Sequence, residues 1–289
     1  MTPSCRQRCC RNCVTIWAGM AWAPTASLSE RLPYKAMLRV SAVFILLLPL
    51  FFTPVSTYGG TLSIVSQSRW VEVGRVLDGD TFVGNMGEHI RLLGINTPEI
   101  AHEASPAQPM GDEATQALTK LIAGKSVRLD FDKQRKDDYG RTLAQLYLRD
   151  GTWVNGEMVR LGMAHVYTFT PNLRWAAPLT LLEAGARQRQ TGIWSTERFS
   201  MLDADDVASG NLGQFRVVQG RVGEIARDGF SFRMGHLKVS IPRKYRRYFG
   251  HSRVAHKGDR VVIHGVVRAS SSGLYIALHS PSDVEKIAP

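Results

Sequence analysis

Short runs of alternating apolar and polar residues, each closed by a glycine-bearing turn, fill most of the chain after Trp70. They restrict it to small β architectures, because such runs bury one face and must pair at once with a neighbour. Trp70–Leu77 reads as a strand, and Thr81–Leu93 as a hairpin about Asn85-Met86-Gly87. Asp112 stands where it can cap a helix with the apolar face Ala114, Ala117, Leu118, Leu121 and Ile122, stopped at Gly124. Val127–Asp132 and Thr142–Leu148 are further strands, with the charged stretch Lys133–Tyr139 looping between them. A short helix is expected from Val154 to Leu161, ended by Gly162, and a last one over Leu179–Gln190.

Beyond an acidic, then Gly/Ser/Asn-containing stretch at 199–213, which suits a domain boundary, strand patterns return. They cover Phe215–Val222, Phe230–Met234, Leu237–Ile241, Arg260–Val267 and Leu274–Leu278. Five short strands with one longer loop suggest a small barrel. The fold class expected is therefore mainly β with helices, in two small barrels.

Charge divides the chain unevenly. Residues 61–209 hold 16 basic and 19 acidic side chains, net −3, whereas residues 210–289 hold 14 basic and 5 acidic, net +9. The C-terminal piece is the one suited to a polyanion. Near the other end, Arg39 precedes an apolar run from Val40 to Phe52. That run spans roughly 20 Å as a helix, short of the roughly 30 Å bilayer core, so residues 37–59 read as a signal peptide or, if uncleaved, an N-terminal anchor. All four cysteines (Cys5, Cys9, Cys10 and Cys13) lie upstream of it, in spacing unlike a zinc motif. Residues 1–36 read as an over-extended start or a leader.

Polar groups capable of chemistry concentrate between Asp78 and Arg141. Asp80 follows an Asp-Gly turn, and Asn96-Thr97 ends the next strand. The Asp80 carboxylate, the Asn96 side-chain oxygen and the Thr97 carbonyl can converge if those strands pair, and an oxygen-only set suits Ca²⁺ or Mg²⁺. Asp78 can accept from a water on such an ion. Glu99, held out of a helix by Pro98, is a base for an attacking water. Arg91 and Arg141 can each donate paired hydrogen bonds to a phosphate, and losing one such donor typically raises a barrier by about 3–4 kcal/mol.

The stretch from about Trp70 to Trp194 resembles the thermonuclease, or staphylococcal nuclease-like, family. The likeness rests on Asp78-Gly79-Asp80-Thr81, Arg91-Leu92-Leu93-Gly94-Ile95 with Thr97-Pro98-Glu99, Asp138-Tyr139-Gly140-Arg141, Val154-Asn155, Gly162-Met163-Ala164 and the closing Gly192-Ile193-Trp194. The resemblance implies a five-stranded OB-type barrel with three helices, over about residues 70–198. It further implies Ca²⁺-dependent hydrolysis of DNA and RNA to 3′-phosphates, with Arg91, Glu99 and Arg141 as the catalytic trio and Asp80, Asn96 and Thr97 as metal ligands. Asn96 departs from the family's usual aspartate. A neutral oxygen there takes one negative charge from the ion site and should weaken Ca²⁺ binding. Tyr167 falls where the family carries an aromatic near the substrate base, although a core role fits it equally.

In the C-terminal piece, about 212–289, Arg243-Lys244-Tyr245-Arg246-Arg247-Tyr248-Phe249 interleaves cations with rings. That composition suits phosphates and stacked bases, and the strand pattern resembles a second OB-type module. The plainer reading is a solvated loop whose rings close the barrel. The whole reads as an exported nuclease, periplasmic or extracellular, acting on DNA and/or RNA. It carries a nucleic-acid-binding C-terminal module with Arg243, Lys244, Arg246 and Arg247. No stable protein partner is implied, and a membrane only if the N-terminal segment stays attached. The rival is a nucleic-acid-binding or scaffold protein of the same fold with little or no turnover.

Overall fold

The computed structural model describes residues 68–101, 106–250 and 253–287. The expected leader and targeting segment, with all four cysteines, lie outside the described residues. The alternating runs fold as strands with their apolar positions inward. Strands β1 (Ser68–Asp78), β2 (Thr81–Gly84) and β3 (His89–Leu92) form an antiparallel meander, and the short β4 (Ile95–Asn96) follows. Helix α1 (Gly111–Ile122) crosses to β5 (Ser126–Asp130), which pairs with β6 (Thr142–Tyr147). The order β1-β2-β3-β6-β5 closes on itself, with β3 and β6 parallel. Val73, Phe82, Ile90, Leu92, Leu129 and Leu146 lie in its core with Ala114, Leu118 and Ile122 of α1.

Helix α2 (Val154–Arg160), strand β7 (His165–Val166) and helix α3 (Ala176–Gln188) complete this half. Buried Asn155 ties α2 to the barrel: its Nδ2 donates to Leu93 O (3.0 Å), and its Oδ1 accepts from Leu146 N–H (2.9 Å). β7 pairs antiparallel with β4, setting Asn96 opposite His165. Two local expectations need correction. Asp112 does not cap α1: the N-cap is Met110, in the left-handed conformation with no side-chain cap, and Asp112 sits in the first turn, where its charge favours the helix dipole. α3 begins at Ala176 instead of Leu179, since Pro178 is tolerated in a first turn whose N–H groups lack helical partners.

The second barrel follows. Strand β8 (Leu202–Asp203) pairs with β9 (Phe215–Ile225), and β10 (Ser231–Met234) and β11 (Leu237–Ser240) continue the meander. A 3-10 helix, Arg243–Tyr248, leads toward β12 (Arg260–Ser270), followed by β13 (Gly273–Ala277) and β14 (Val284–Ile287). The β12–β9 pairing closes the ring β9-β10-β11-β13-β12, in which β11 and β13 are parallel. This is the strand order of the first barrel again, with a helical segment between the third and fourth strands in both. β8 and β14 extend this sheet beyond the five expected strands. The 199–213 stretch contains β8 and buries Ala204 and Val207 in the second core.

Both barrels belong to one compact unit, Leu62–Pro289. A third apolar cluster, including Ile193, Trp194, Phe199, Phe215 and Val262, joins residues of the first half to β9 and β12. Beside it lies a buried charge network. His264 of β12 places Nδ1 3.2 Å from Glu183 Oε2 on α3 and Nε2 2.8 Å from Glu285 Oε1 on β14. Arg187 Nη2 donates to Glu285 Oε1 (2.6 Å), and Glu183 Oε1 accepts from Val166 N–H (2.8 Å). Ligand atoms of Glu183, His264 and Glu285 come within 4.8 Å of one another. Because each ring nitrogen faces a carboxylate, the arrangement is that of an imidazolium between two anions. Burial favours the neutral ring, but Glu183 and Glu285 more than offset it and hold His264 up at about 9.

Candidate active site

Asp78 closes β1, and Asp80 opens the turn into β2. Gly79 between them leaves no space for a side chain, since a Cβ would lie 2.7 Å from the Ala114 side chain and 2.8 Å from that of Thr97. The glycine lets this turn press against α1 and the end of β4. Asp80 is buried, and its Oδ2 accepts from Thr97 N–H (2.9 Å) and the Thr97 hydroxyl (3.2 Å) while pairing with Arg91 Nη2 (2.9 Å). Its Oδ1 accepts from the Thr81 hydroxyl at 3.1 Å. Asp78 Oδ1 accepts from Asp80 N–H at 2.9 Å. Burial, and then the charge of Asp80, push the Asp78 carboxyl up to about 6.

Arg91 projects from β3, between Thr81 of β2 and Leu143 of β6. Its Nη1 donates to Leu92 O (2.8 Å) and Ile95 O (2.9 Å), and its Nη2 to Asn96 Oδ1 (2.8 Å). The guanidinium is thereby fixed across the strand ends. Asn96 is fully engaged too, as its Nδ2 donates to Thr97 O at 3.1 Å. An aspartate at 96 could not make that last contact, because a carboxylate has no hydrogen to give.

Glu99 is exposed at the mouth of the cleft. Its backbone is pinned: Gln108 N–H donates to Glu99 O (2.9 Å), and Gly111 lies so close that a Cβ would meet the same oxygen at 2.7 Å. Among the described residues the Glu99 carboxylate has no hydrogen-bond or ion-pair partner. Arg141 comes from the loop before β6. Its Nε donates to Asp137 Oδ2 at 2.7 Å, and Asp137 Oδ1 accepts from the N–H groups of Tyr139 (3.0 Å) and Arg141 (2.9 Å). Against a burial penalty, these donors hold the Asp137 carboxyl below its ordinary range. The outer Nη groups of Arg141 are left for a ligand.

Asp78, Asp80, Arg91, Asn96, Glu99, Arg141 and Tyr167 thus line one cleft of about 550 Å³, and Thr97 stands behind Asp80. Tyr167 is half-buried, and burial raises its phenol pKa. The four basic residues expected to bind nucleic acid lie on the 3-10 helix of the second barrel and do not line this cleft. Arg246 is tied to Asp228 (2.9 Å) and packs over Phe230, and Arg247 donates to the Tyr248 hydroxyl (2.9 Å). Arg243 and Lys244 are exposed.

Three features escaped the sequence reading. Asp137, and not the motif's Asp138, anchors Arg141; its spacing four residues before the arginine was the available signal. Phe169, 40% exposed on the cleft wall, carries no polar group and belongs to no motif, so nothing in the sequence singles it out. The Glu183–His264–Glu285 network gave no local signal.

Residues 89–196 match the family model described as staphylococcal nuclease homologue. The thermonuclease of Staphylococcus intermedius is 34% identical over 125 residues, covering 42% of this chain and 74% of the relative. The thermonuclease of Staphylococcus hyicus is 32% identical over 133 residues, covering 45% and 78%. Endonuclease YncB of Bacillus subtilis (strain 168) is 34% identical over 143 residues, covering 47% and 67%. Fold, cleft and likeness agree: the chain belongs to the staphylococcal nuclease homologue family.

Proposed function

We propose that this protein is an exported nuclease that hydrolyses phosphodiester bonds of DNA and/or RNA in the Asp80–Arg91–Glu99–Arg141 cleft. The observation that carries the reading is the meeting, in one cleft, of an unpartnered carboxylate, the Asp78–Asp80 acid pair and two anchored arginines. Glu99 takes a proton from the attacking water as its oxygen bonds to phosphorus. Arg141 donates to a non-bridging oxygen through its outer nitrogens while Asp137 holds its inner one, and Arg91 supports the same charge from the strand side. The bond to the leaving oxygen then breaks, and that oxygen collects a proton from solvent.

The donor set suits a hard cation: the Asp78 and Asp80 carboxylates share one turn, with the Thr97 carbonyl and the Asn96 side-chain oxygen at the end of the neighbouring strand. Asp80, Thr97 O and Asn96 would hold Ca²⁺, with Asp78 accepting from a water on it. When bound, the ion adds positive charge beside the phosphate. Asn96 supports this least, because its amide presently occupies Thr97 O. That contact also favours the second reading, a nucleic-acid-binding protein with slow turnover.

Export rests on the apolar run after Arg39, and nucleic-acid binding by the second barrel on its net charge of +9. Digestion of plasmid DNA and of RNA, with Ca²⁺ and with a chelator, tests the whole. Wild type should cut both substrates only with Ca²⁺, and Glu99→Gln should be at least about a hundredfold slower with an unchanged melting temperature. Equal rates for the two proteins would overturn the assignment.

A further inference from the structure

At Phe169 the wall of the cleft meets the second barrel. Tyr167 meets Phe169 edge-to-face at 4.5 Å between centroids. Phe169 in turn stacks on His279 of the second barrel at 5.7 Å and 23°. His279 lies 4.9 Å from Tyr245, on the 3-10 helix. The rings make an unbroken path from the cleft wall across the join. The join is pinned at that point, because the Thr168 hydroxyl, between Tyr167 and Phe169, meets the Ser282 hydroxyl at 2.8 Å. The backbone beside His279 is fixed as well, with Asp283 Oδ2 accepting from His279 N–H (2.7 Å) and Ser280 N–H (3.0 Å).

Cations flank the path. Lys244 Nζ lies 4.7 Å over the Tyr245 ring. Burial, and then the charges of Arg268 and Lys244, keep His279 below its ordinary pKa. Arg268 also acts on Tyr167 and is exposed on β12, where it has no ion-pair or hydrogen-bond partner among the described residues.

We propose that Tyr167, Phe169, His279 and Tyr245, flanked by Lys244 and Arg268, form a composite platform on which single-stranded nucleic acid runs from the cleft onto the second barrel. The proposal deepens the nuclease reading of the cleft and rests on it for direction. Phe169, 40% exposed, with the half-buried rings of Tyr167, His279 and Tyr245 beside it and cations alongside, offers ring surface to unpaired bases and charge to the backbone phosphates. Paired bases in a duplex keep their faces stacked inside and cannot use the rings.

Fluorescence anisotropy of the full chain with an end-labelled oligo(dT) of about 16 nucleotides, within the site sizes known for OB barrels, tests this. Divalent ions are withheld so that binding is read without cleavage. Phe169→Ala and His279→Ala should each weaken binding by about tenfold, while a duplex of equal length loses less than about twofold. Lys244→Ala combined with Arg268→Ala should flatten the slope of log affinity against log salt by about 1.4, at about 0.7 per single-strand phosphate. His279→Phe, which keeps a ring and the fold, should retain affinity. Unchanged oligo(dT) binding in the alanine variants, equal losses for duplex, or failure of His279→Phe to rescue would each overturn the platform. Hydrolysis of the same oligonucleotide by wild type with Ca²⁺ separates the two ideas. Ring-dependent binding without cleavage removes the nuclease reading and leaves the platform, whereas cleavage without ring dependence does the reverse.

Discussion

Replacing His264 by leucine removes the cation that sits between two carboxylates where the barrels join. Glu183 Oε2 is fully buried and would lose its partner at 3.2 Å, leaving only the charge of Arg187 nearby. Removing one member of a buried pair typically costs about 3–5 kcal/mol. The proton affinity of the ring gives an independent figure. From the ordinary 6.5 to about 9, at roughly 1.4 kcal/mol per pH unit, the stabilisation comes to about 3 kcal/mol. A raised folded-state pKa means that this contribution is complete below pH 6.5 and lost as pH rises through about 9. Glu285, lowered from 4.5 to about 2 by His264 and Arg187 against its burial penalty, gives the opposite limb: complete above 4.5, lost as pH falls through about 2. The limbs describe the same ion pairs from either partner and do not add. Asp283 and His165 also feel the His264 charge; burial holds the first up at about 6 and the second down at about 4. Urea unfolding followed by circular dichroism, at pH 6 and at pH 10, compares wild type with His264→Leu. The variant should be less stable by about 3–5 kcal/mol at pH 6, and the gap should shrink by about 3 kcal/mol at pH 10. Glu183→Gln added to His264→Leu should recover part of the loss, since the amide oxygen still accepts from Val166 N–H and the fully buried carboxylate charge is gone, leaving Glu285 paired with Arg187. A gap below about 1 kcal/mol at pH 6, or one that is the same at both pH values, would refute the reasoning.

Three further outcomes follow from the cleft and its surroundings. Asp137→Ala frees the Arg141 side chain and should lower kcat by about tenfold or more with little change in melting temperature, as steady-state kinetics on an oligonucleotide would show. Asn96→Asp removes the amide that occupies Thr97 O and adds a negative charge beside the proposed ion. The Ca²⁺ concentration for half-maximal activity should fall, and an unchanged requirement in a calcium titration would place residue 96 away from the ion. On the second barrel, Arg243→Ala with Lys244→Ala should flatten the salt dependence of duplex binding by about 1.8, at about 0.9 per phosphate. Arg246→Ala should change it less, because that side chain already answers Asp228.

Read alone, the sequence determined what is local. β1 to β3, α1, β5, β6 and the five main strands of the second barrel were legible, because period-two and period-3.6 patterns and the glycine turns act over a few residues. The motif spacing likewise grouped Asp80, Arg91, Glu99 and Arg141, which lie on β3 or in the short turns and loops beside β2, β4 and β6. Tertiary structure decided the rest. β8 and β14 are too short to carry a pattern and exist only because β9 and β12 offer open edges. The engagement of Asn96 by Arg91 and Thr97 O depends on side-chain directions that no spacing specifies. The basic run looked uniform in sequence, yet folding turns Arg246 back to Asp228 and leaves Arg243 and Lys244 outside. His264 meets Glu183, and His279 meets Phe169, across separations of scores of residues, because two closed barrels are packed together and must bring charges and rings at their join to terms with one another.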